Sequence, residues 1–237
     1  MANFVLVHGL FHGGWCFRRV AKLLRNQGHD VFTPTLTGVG ERSHLLNGSC
    51  NLDMHVMDIV NVLRFEDLTD VVLCGHSFGG FPITGAADAE PERVGALVYL
   101  DAFVPGDGDS NHSLVSEFYQ RYFSEGTGET GYSVAPVGAA VMGVRDPADI
   151  AWIESKCTPH PYASFRQSLR LTGAYTRVKK RVYIVATGWD VSKTPYPAYY
   201  ERFRNTPGWT VYSEPCSHDM MVDAPERLAE ILVASAA

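Results

Sequence analysis

A serine within residues 75–79 (GHSFG) has the sequence context of a catalytic nucleophile. The pentapeptide follows the apolar run DVVLC, which is typical of a buried strand, and precedes a segment with a helical pattern. Glycines on both sides let strand and helix approach closely, so that Ser77 lies on a tight turn with an exposed hydroxyl. The N–H of Phe78, at the start of the helix, faces the same space and could stabilise an oxyanion. This pattern predicts attack by Ser77 on a carbonyl carbon.

A second glycine-rich stretch, residues 8–15 (HGLFHGGW), follows the first apolar run of the chain. A nucleophile of this kind uses a second backbone N–H donor, which comes from the loop after an early strand. Leu10 is the candidate for that donor. The alternative is that the glycines only form turns before the next helix.

Nine histidines compete for the role of general base. His218 is favoured because it follows the last predicted strand and precedes the last predicted helix. The chain order nucleophile, acid, histidine places the base in that final loop.

Two aspartates could orient His218 by accepting its Nδ1–H and stabilising the imidazolium. Asp190 follows the apolar run RVYIVAT after a short turn, and it is the preferred acid. Asp101, at the end of RVGALVYLD, is the alternative. Both lie between Ser77 and His218 in the chain, so their order does not separate them.

Apolar runs alternate with helical patterns in two parts of the chain, which predicts an α/β fold with a mostly parallel sheet covered on both faces. These parts, residues 1–103 and 177–237, would form the core. Residues 104–176 are rich in aromatic residues, glycine and proline, and are predicted to be an inserted, mainly helical cap. The candidate pocket residues are Phe11, His12, Tyr132, Trp152 and Phe165. The alternative is that the cap aromatics form the core of the cap itself.

Composition excludes several classes of partner and site. The formal net charge of −6 and the lack of a basic run argue against nucleic-acid binding. The N-terminal residues MANFVLVHG resemble neither a signal peptide nor a membrane span, and the five widely spaced cysteines suggest free thiols. We therefore expect a cytoplasmic protein with no membrane partner. The absence of HExxH and of a Cys/His cluster predicts no metal and no cofactor.

Several segments resemble a known family. VLVHGLFHGGWCF, GHSFGG and SHDMMVDAPERLAEIL are similar to the α/β hydrolases that include plant methylesterases and hydroxynitrile lyases. TPTLTGVGERSHLL, VYLDAFVP and CTPHPYASFRQSLRLTG resemble the bacterial carboxylesterase and pyrethroid-hydrolase-like branch. The resemblance implies an α/β-hydrolase fold with a six-stranded sheet and a possible homodimer.

The same resemblance implies site roles: Ser77 as nucleophile, His218 as base, Asp190 as acid, and Leu10 and Phe78 as oxyanion donors. In the bacterial branch an acid like Asp101 is frequent, so both acids stay open. The expected activity is hydrolysis of a small, apolar or aromatic ester, whether methyl, aryl, lactone or pyrethroid-like. The alternatives are a hydroxynitrile lyase and a small-molecule receptor. The lyase reading lacks the lysine and threonine of the plant lyases, because Asp219 and Gly9 occupy those positions.

Overall fold

The computed structural model describes residues 1–127 and 131–236. The strands are β1 (Asn3–Val7), β2 (Asp30–Phe32), β3 (Val71–His76), β4 (Val94–Leu100), β5 (Ser133–Val134), β6 (His160–Pro161), β7 (Lys180–Ala186) and β8 (Trp209–Glu214). The helices are α1 (Arg18–Asn26), α2 (Leu52–Phe65), α3 (Gly80–Ala89), α4 (Asn111–Leu114), α5 (Glu117–Glu125), α6 (Pro147–Glu154), α7 (Tyr162–Arg166), α8 (Tyr196–Phe203), α9 (Met220–Asp223) and α10 (Pro225–Ala236). Short 3₁₀ turns include Gly14–Phe17, Gly40–Leu45 and Ser77–Gly79.

Six strands form one parallel sheet in the order β2-β1-β3-β4-β7-β8. The central strands are continuous apolar runs because both faces of a parallel sheet are covered by crossover helices. Every residue of β3 is buried, as this position requires. The predictions of an α/β hydrolase fold and of a six-stranded sheet are confirmed.

The sheet separates two apolar cores. On one face α1 and α10 contribute Val20, Leu24, Leu228 and Ile231. The opposite core includes side chains of α2, α3 and α8, such as Ile59, Phe81 and Phe203. These layers fix the carboxyl ends of the strands, where loops can carry functional groups.

Local signals set the ends of the helices that surround the site. Asn51 caps α2 by accepting a hydrogen bond from the Met54 N–H at 3.0 Å, as its residue type favours. Pro82 lies in the first turn of α3, where its missing N–H removes no bond within the helix. The residue types at these positions therefore account for where the two helices begin.

The segment between β4 and β7 contains α4 to α7 and a short antiparallel pair, β5 with β6. The sequence predicted helical pieces here and no strong strand. Two-residue strands are too short to produce a recognisable run of apolar residues. Residues 128–130 of this segment lie outside the described part of the chain.

Across residues 1–127 and 131–236, no helix has the length and apolar character needed to cross a membrane.

Candidate active site

Ser77 begins the turn between β3 and α3, and its backbone adopts a φ of +54°. This left-handed conformation is strained for a residue with a side chain and marks a turn held by its surroundings. The flanking glycines are sterically required: a Cβ on Gly75 would lie 2.5 Å from the Gly79 carbonyl oxygen, and one on Gly79 would lie 2.7 Å from the Val7 carbonyl oxygen. The geometry is that of a nucleophile on a tight strand–turn–helix connection.

The loop after β1 lies against this turn. A Cβ on Gly9 would lie 2.8 Å from the Ser77 Cβ, so the backbone before Leu10 passes directly beside the serine. Phe11 adopts a φ of +68°, which bends the loop sharply after Leu10. Phe78, fully buried, follows Ser77 at the start of the 3₁₀ turn that leads into α3. Both backbone positions predicted as oxyanion donors therefore flank the nucleophile.

His218 lies in the loop after β8 and contacts Asp101, which follows the last residue of β4. The His218 Nδ1–H donates to Asp101 Oδ2 at 2.6 Å. The Asp101 carboxylate is fully buried and also accepts the Trp189 Nε1–H at 2.9 Å and the Ala186 N–H at 3.0 Å. These bonds satisfy the carboxylate and fix the tautomer of His218 with Nε2 free to accept a proton.

Asp190, the preferred acid in the sequence analysis, does not occupy this position, and the expected placement is corrected to Asp101. Asp190 is exposed, and its carboxylate accepts the Ser192 N–H at 3.0 Å. Hydrogen bonds from the side chain and N–H of Ser192 hold the pKa of Asp190 below its usual value. The turn after β7 instead directs Trp189 inward, where its indole N–H donates to the Asp101 carboxylate.

The Ser77 hydroxyl lies 3.5 Å from the Tyr196 hydroxyl, a long hydrogen bond. Within the described residues no hydrogen bond joins Ser77 to His218, and a reaction that used both would require the serine side chain to turn from Tyr196 towards His218. Catalytic hydrogen bonds are often this loose in ligand-free structures. Tyr196 stacks on His218 with ring centroids 5.8 Å apart, and Trp189 lies 4.6 Å from the same ring.

Tyr196 and Trp189 were missed by the sequence analysis. The sequence signal for them was their position: Trp189 lies in the loop after β7 and Tyr196 begins α8, and loops at this end of the sheet border the site. Aromatic residues at such positions are as often structural as functional.

His76 precedes the nucleophile and is almost completely buried. Its Nε2–H donates to the His218 carbonyl at 3.0 Å, which ties the loop of the base to the end of β3. Burial and the adjacent His218 ring hold the pKa of His76 well below its usual value, so the ring is neutral.

A pocket of about 730 Å³, counting the solvent at its mouth, opens above Ser77 and His218. Its lining is mainly apolar and includes Leu10, Phe11, Phe103, Val115, Phe123 and Val137. The predicted pocket residues Phe11 and His12 are therefore found at the pocket.

The other three predicted pocket residues lie elsewhere. Tyr132 is exposed and is not part of the lining. Trp152 packs against Trp15 with ring centroids 5.1 Å apart, and its neighbour Ile153 lines the pocket instead. Phe165 is buried against Phe123 at 4.7 Å. These three predictions are corrected. Aromatic side chains in this segment can pack against one another as readily as they can line a ligand pocket.

Among the described residues, no group of three or more His, Cys, Asp or Glu side chains could hold a metal ion. All five cysteines are free thiols.

Comparison with known proteins places this fold and site in a family. The model of the alpha/beta hydrolase family matches residues 4–231. The chain belongs to the alpha/beta hydrolase family.

Individual relatives define the enzyme class. The carbendazim hydrolyzing esterase of Nocardioides sp. (strain SG-4G) is 43% identical over 244 aligned positions, covering 99% of each chain. Methyl jasmonate esterase 1 of Vitis vinifera is 31% identical over 122 positions, 50% of this chain and 46% of the relative. The protein is thus an enzyme of the carboxylic ester hydrolase class, and its resemblance to bacterial esterases and plant methylesterases is confirmed.

Solved structures agree on the fold. An extracellular α/β-hydrolase from a Paenibacillus species superimposes with a TM-score of 0.86 at 22% identity, over 99% of both chains.

Proposed function

We propose that the protein hydrolyses a carboxylic ester through an acyl-enzyme formed on Ser77. The observation that best supports this is the buried 2.6 Å bond between His218 Nδ1 and Asp101, beside a serine on a strained strand–helix turn. Ser77 Oγ attacks the ester carbonyl and gives its proton to His218 Nε2, while Asp101 stabilises the resulting imidazolium. The N–H groups of Leu10 and Phe78 hold the oxyanion of the tetrahedral intermediate.

The second half of the reaction returns the enzyme to its starting state. The intermediate collapses, the C–O bond to the alcohol breaks, and His218 protonates the departing oxygen. Water then attacks the acyl group while His218 takes a proton from it. The second tetrahedral intermediate collapses, His218 returns the proton to Ser77 Oγ, and the acid product leaves. Each half-reaction uses the same oxyanion donors.

The proposed substrate is a small ester whose acyl part is apolar or aromatic. The lining of the pocket, with Phe11, Phe103 and Phe123, supports this chemistry because such surfaces bind apolar groups by burial. A methyl or other small alkyl ester is favoured by the methyl jasmonate esterase among the relatives. We further propose that residues 104–176 act as the cap, since α5 contributes Tyr119 and Phe123 to the lining. A cytoplasmic location and a homodimer stay predictions.

Hydroxynitrile lyase activity is disfavoured by the local packing. The plant lyases carry threonine where this chain has Gly9, and a Cβ there would lie 2.8 Å from the Ser77 Cβ and 3.1 Å from His76 Nδ1. Asp219 stands where those enzymes carry a lysine, so the positive charge that they place directly after the catalytic histidine is replaced here by a carboxylate.

The test is Ser77→Ala assayed with p-nitrophenyl acetate, methyl phenylacetate and carbendazim. We expect hydrolysis by the wild type, with loss of about 10³-fold or more in the variant, because the covalent step is removed. Ser217→Ala is the matched control, since this buried neighbour of His218 has a hydroxyl without a hydrogen-bond partner in the described residues. Mass spectrometry of the wild type should find the acyl adduct on Ser77. Ligand binding without turnover of any ester would favour the receptor alternative and overturn the proposal.

A further inference from the structure

Asp219 directly follows His218, and its fully buried carboxylate is not used in the reaction described above. Both carboxylate oxygens lack a hydrogen-bond partner among the described residues, although the residue borders the pocket. A buried charge without partners costs several kcal/mol unless an opposite charge lies close by. The site therefore requires a cation near Asp219.

Two histidine rings approach this carboxylate. His12 Nε2 lies 3.5 Å and His76 Nε2 lies 4.0 Å from Asp219 Oδ1. His76 uses its Nε2–H for the His218 carbonyl and is neutral, as described above. Burial alone would lower the pKa of His12, but the charge of Asp219 outweighs it and raises that pKa. Burial alone would raise the pKa of Asp219, and His12 brings it below the usual value.

The other nitrogen of His12 reaches the oxyanion loop. Its Nδ1–H donates to the Leu10 carbonyl at 2.8 Å. The N–H of the same peptide unit, from Phe11, donates to His160 Nδ1 at 3.4 Å. Two imidazole rings thus hold the peptide at which the chain turns into the left-handed φ of Phe11. The predicted oxyanion donor, the Leu10 N–H, is one peptide unit earlier.

We propose that Asp219 is a positioning residue of the hydrolytic site: its charge keeps His12 doubly protonated, and the charged ring anchors the Leu10 carbonyl and the loop that carries the second oxyanion donor. This rests on the proposed function. An imidazolium Nδ1–H is a stronger donor than a neutral one, because charge-assisted hydrogen bonds are roughly twice as strong. Loss of the charge would loosen the loop and weaken the hydrogen bond made to the oxyanion.

Several other titratable groups around the pair are held uncharged near neutral pH by burial, whereas His218, next to Asp219, also lowers the pKa of that carboxyl. Burial lowers the pKa of His8 to about 3. Burial raises the pKa of the Cys157 thiol to about 12 and that of Cys16 well above its usual value. His218, adjacent to Asp219, is held by Asp101.

The first arm of the experiment compares Asp219→Asn with Asp223→Asn. Asp223 is the matched control because it is exposed and lies in the same segment. Its carboxylate accepts the Ser217 N–H at 2.9 Å, a hydrogen bond that asparagine can also accept. For Asp219→Asn we expect kcat to fall about tenfold with KM unchanged, because the oxyanion exists only on the path to and from the tetrahedral intermediate. Asp223→Asn should retain the wild-type kcat. A wild-type kcat in Asp219→Asn overturns the proposal.

The second arm measures protonation without turnover. An imidazole ¹⁵N NMR titration of the Ser77→Ala protein should give His12 a pKa above the ordinary histidine value, and Asp219→Asn in that background should lower the pKa of His12. A His12 pKa at or below the ordinary value before the substitution overturns the proposal, whether or not Asp219→Asn folds. Because this measurement does not depend on activity, its result can be distinguished from a failure of the esterase proposal.

A double-mutant cycle tests whether Asp219 acts through His12. His12→Asn keeps an N–H near the position of Nδ1 and removes the charge. If the proposal is right, Asp219→Asn in the His12→Asn background lowers kcat less than twofold further. A full tenfold loss in that background would show that Asp219 acts by another route and would contradict the proposal.

Discussion

Asp101 and Asp190 both follow strands of the same sheet, and the local backbone decides which of them meets His218. Asp101 comes directly after β4 and adopts a φ of +40°, which turns its carboxylate into the space between β4 and β7. Its N–H donates to the Ile184 carbonyl at 2.7 Å, so the sheet itself holds this unusual conformation. Asp190 lies in solvent beyond the end of β7. Its carboxylate is hydrated and accepts the Ser192 N–H, so it is already satisfied outside the site.

The two aspartates therefore respond differently to the same substitution. We expect Asp101→Asn to lower kcat by about 10³- to 10⁴-fold, because an amide cannot stabilise the imidazolium and favours the wrong tautomer of His218. Asp190→Asn should stay within twofold of wild type. Steady-state kinetics of the two variants on one ester decide the matter, and loss of activity in Asp190→Asn alone would contradict the assignment.

The turn between β3 and α3 depends on close backbone contact with the end of β1. A Cβ on Gly79 would lie 2.7 Å from the Val7 carbonyl oxygen and 2.8 Å from the His8 carbonyl oxygen. Neither backbone atom can move without shifting the strand that leads to the oxyanion loop. The glycine is thus required for the spacing between nucleophile and donors.

Gly79→Ala should therefore destabilise the protein by about 1–3 kcal/mol, the usual range for overpacking, and should lower kcat. Gly48→Ala is the control, since its added Cβ would meet only the Tyr132 Cβ, at 3.9 Å. Urea unfolding of both variants gives the free energies. Equal stability of Gly79→Ala and wild type would show that the backbone at the end of β1 can move to accommodate the added Cβ, and would contradict the requirement for glycine.

The strands and two of the site residues could be predicted from sequence. What could not be predicted is the direction in which particular side chains point. The strands were predicted because apolar β-branched runs report burial directly, and Ser77 and His218 were predicted because each lies at a junction between elements. Sequence left Asp190 and Asp101 both open as the acid, with Asp190 preferred, because both satisfy the same order in the chain; the structure places Asp101, and not Asp190, against His218. Trp152 and Phe165 were misplaced because an aromatic residue in a cap can face its own helices or the pocket, and sequence does not record that direction.

Acid stability of the whole molecule should follow from its neutral buried histidines. Burial lowers the pKa of His8 to about 3, and those of His55, His76 and His160 are also lowered. Below pH 6.5 the unfolded chain binds protons at these rings and the folded chain does not, so stability present above pH 6.5 is lost as the pH falls. His12 and Asp219 add little to this slope between pH 6.5 and 5, because each then has nearly the same protonation in both states.

The expected result is a free energy of unfolding that decreases from pH 7 to pH 5, by about 2 kcal/mol in total for His8 alone. Guanidinium unfolding at pH 7, 6 and 5 measures the slope. A stability that is flat over this interval would contradict the assignment of neutral rings.

The parallel sheet also has a consequence for how the chain reaches this state. Each pair of neighbouring strands is joined through a crossover, so no strand can pair with the next by closing a short hairpin. Ser77 and His218 are 141 positions apart in the chain and meet only after β7 and β8 have docked. The entropy lost in closing loops of this length comes before the stabilising contacts form, and such topologies therefore fold slowly. We therefore expect helices to form before the functional site does, and the apolar strand edges to be exposed to other chains during that interval.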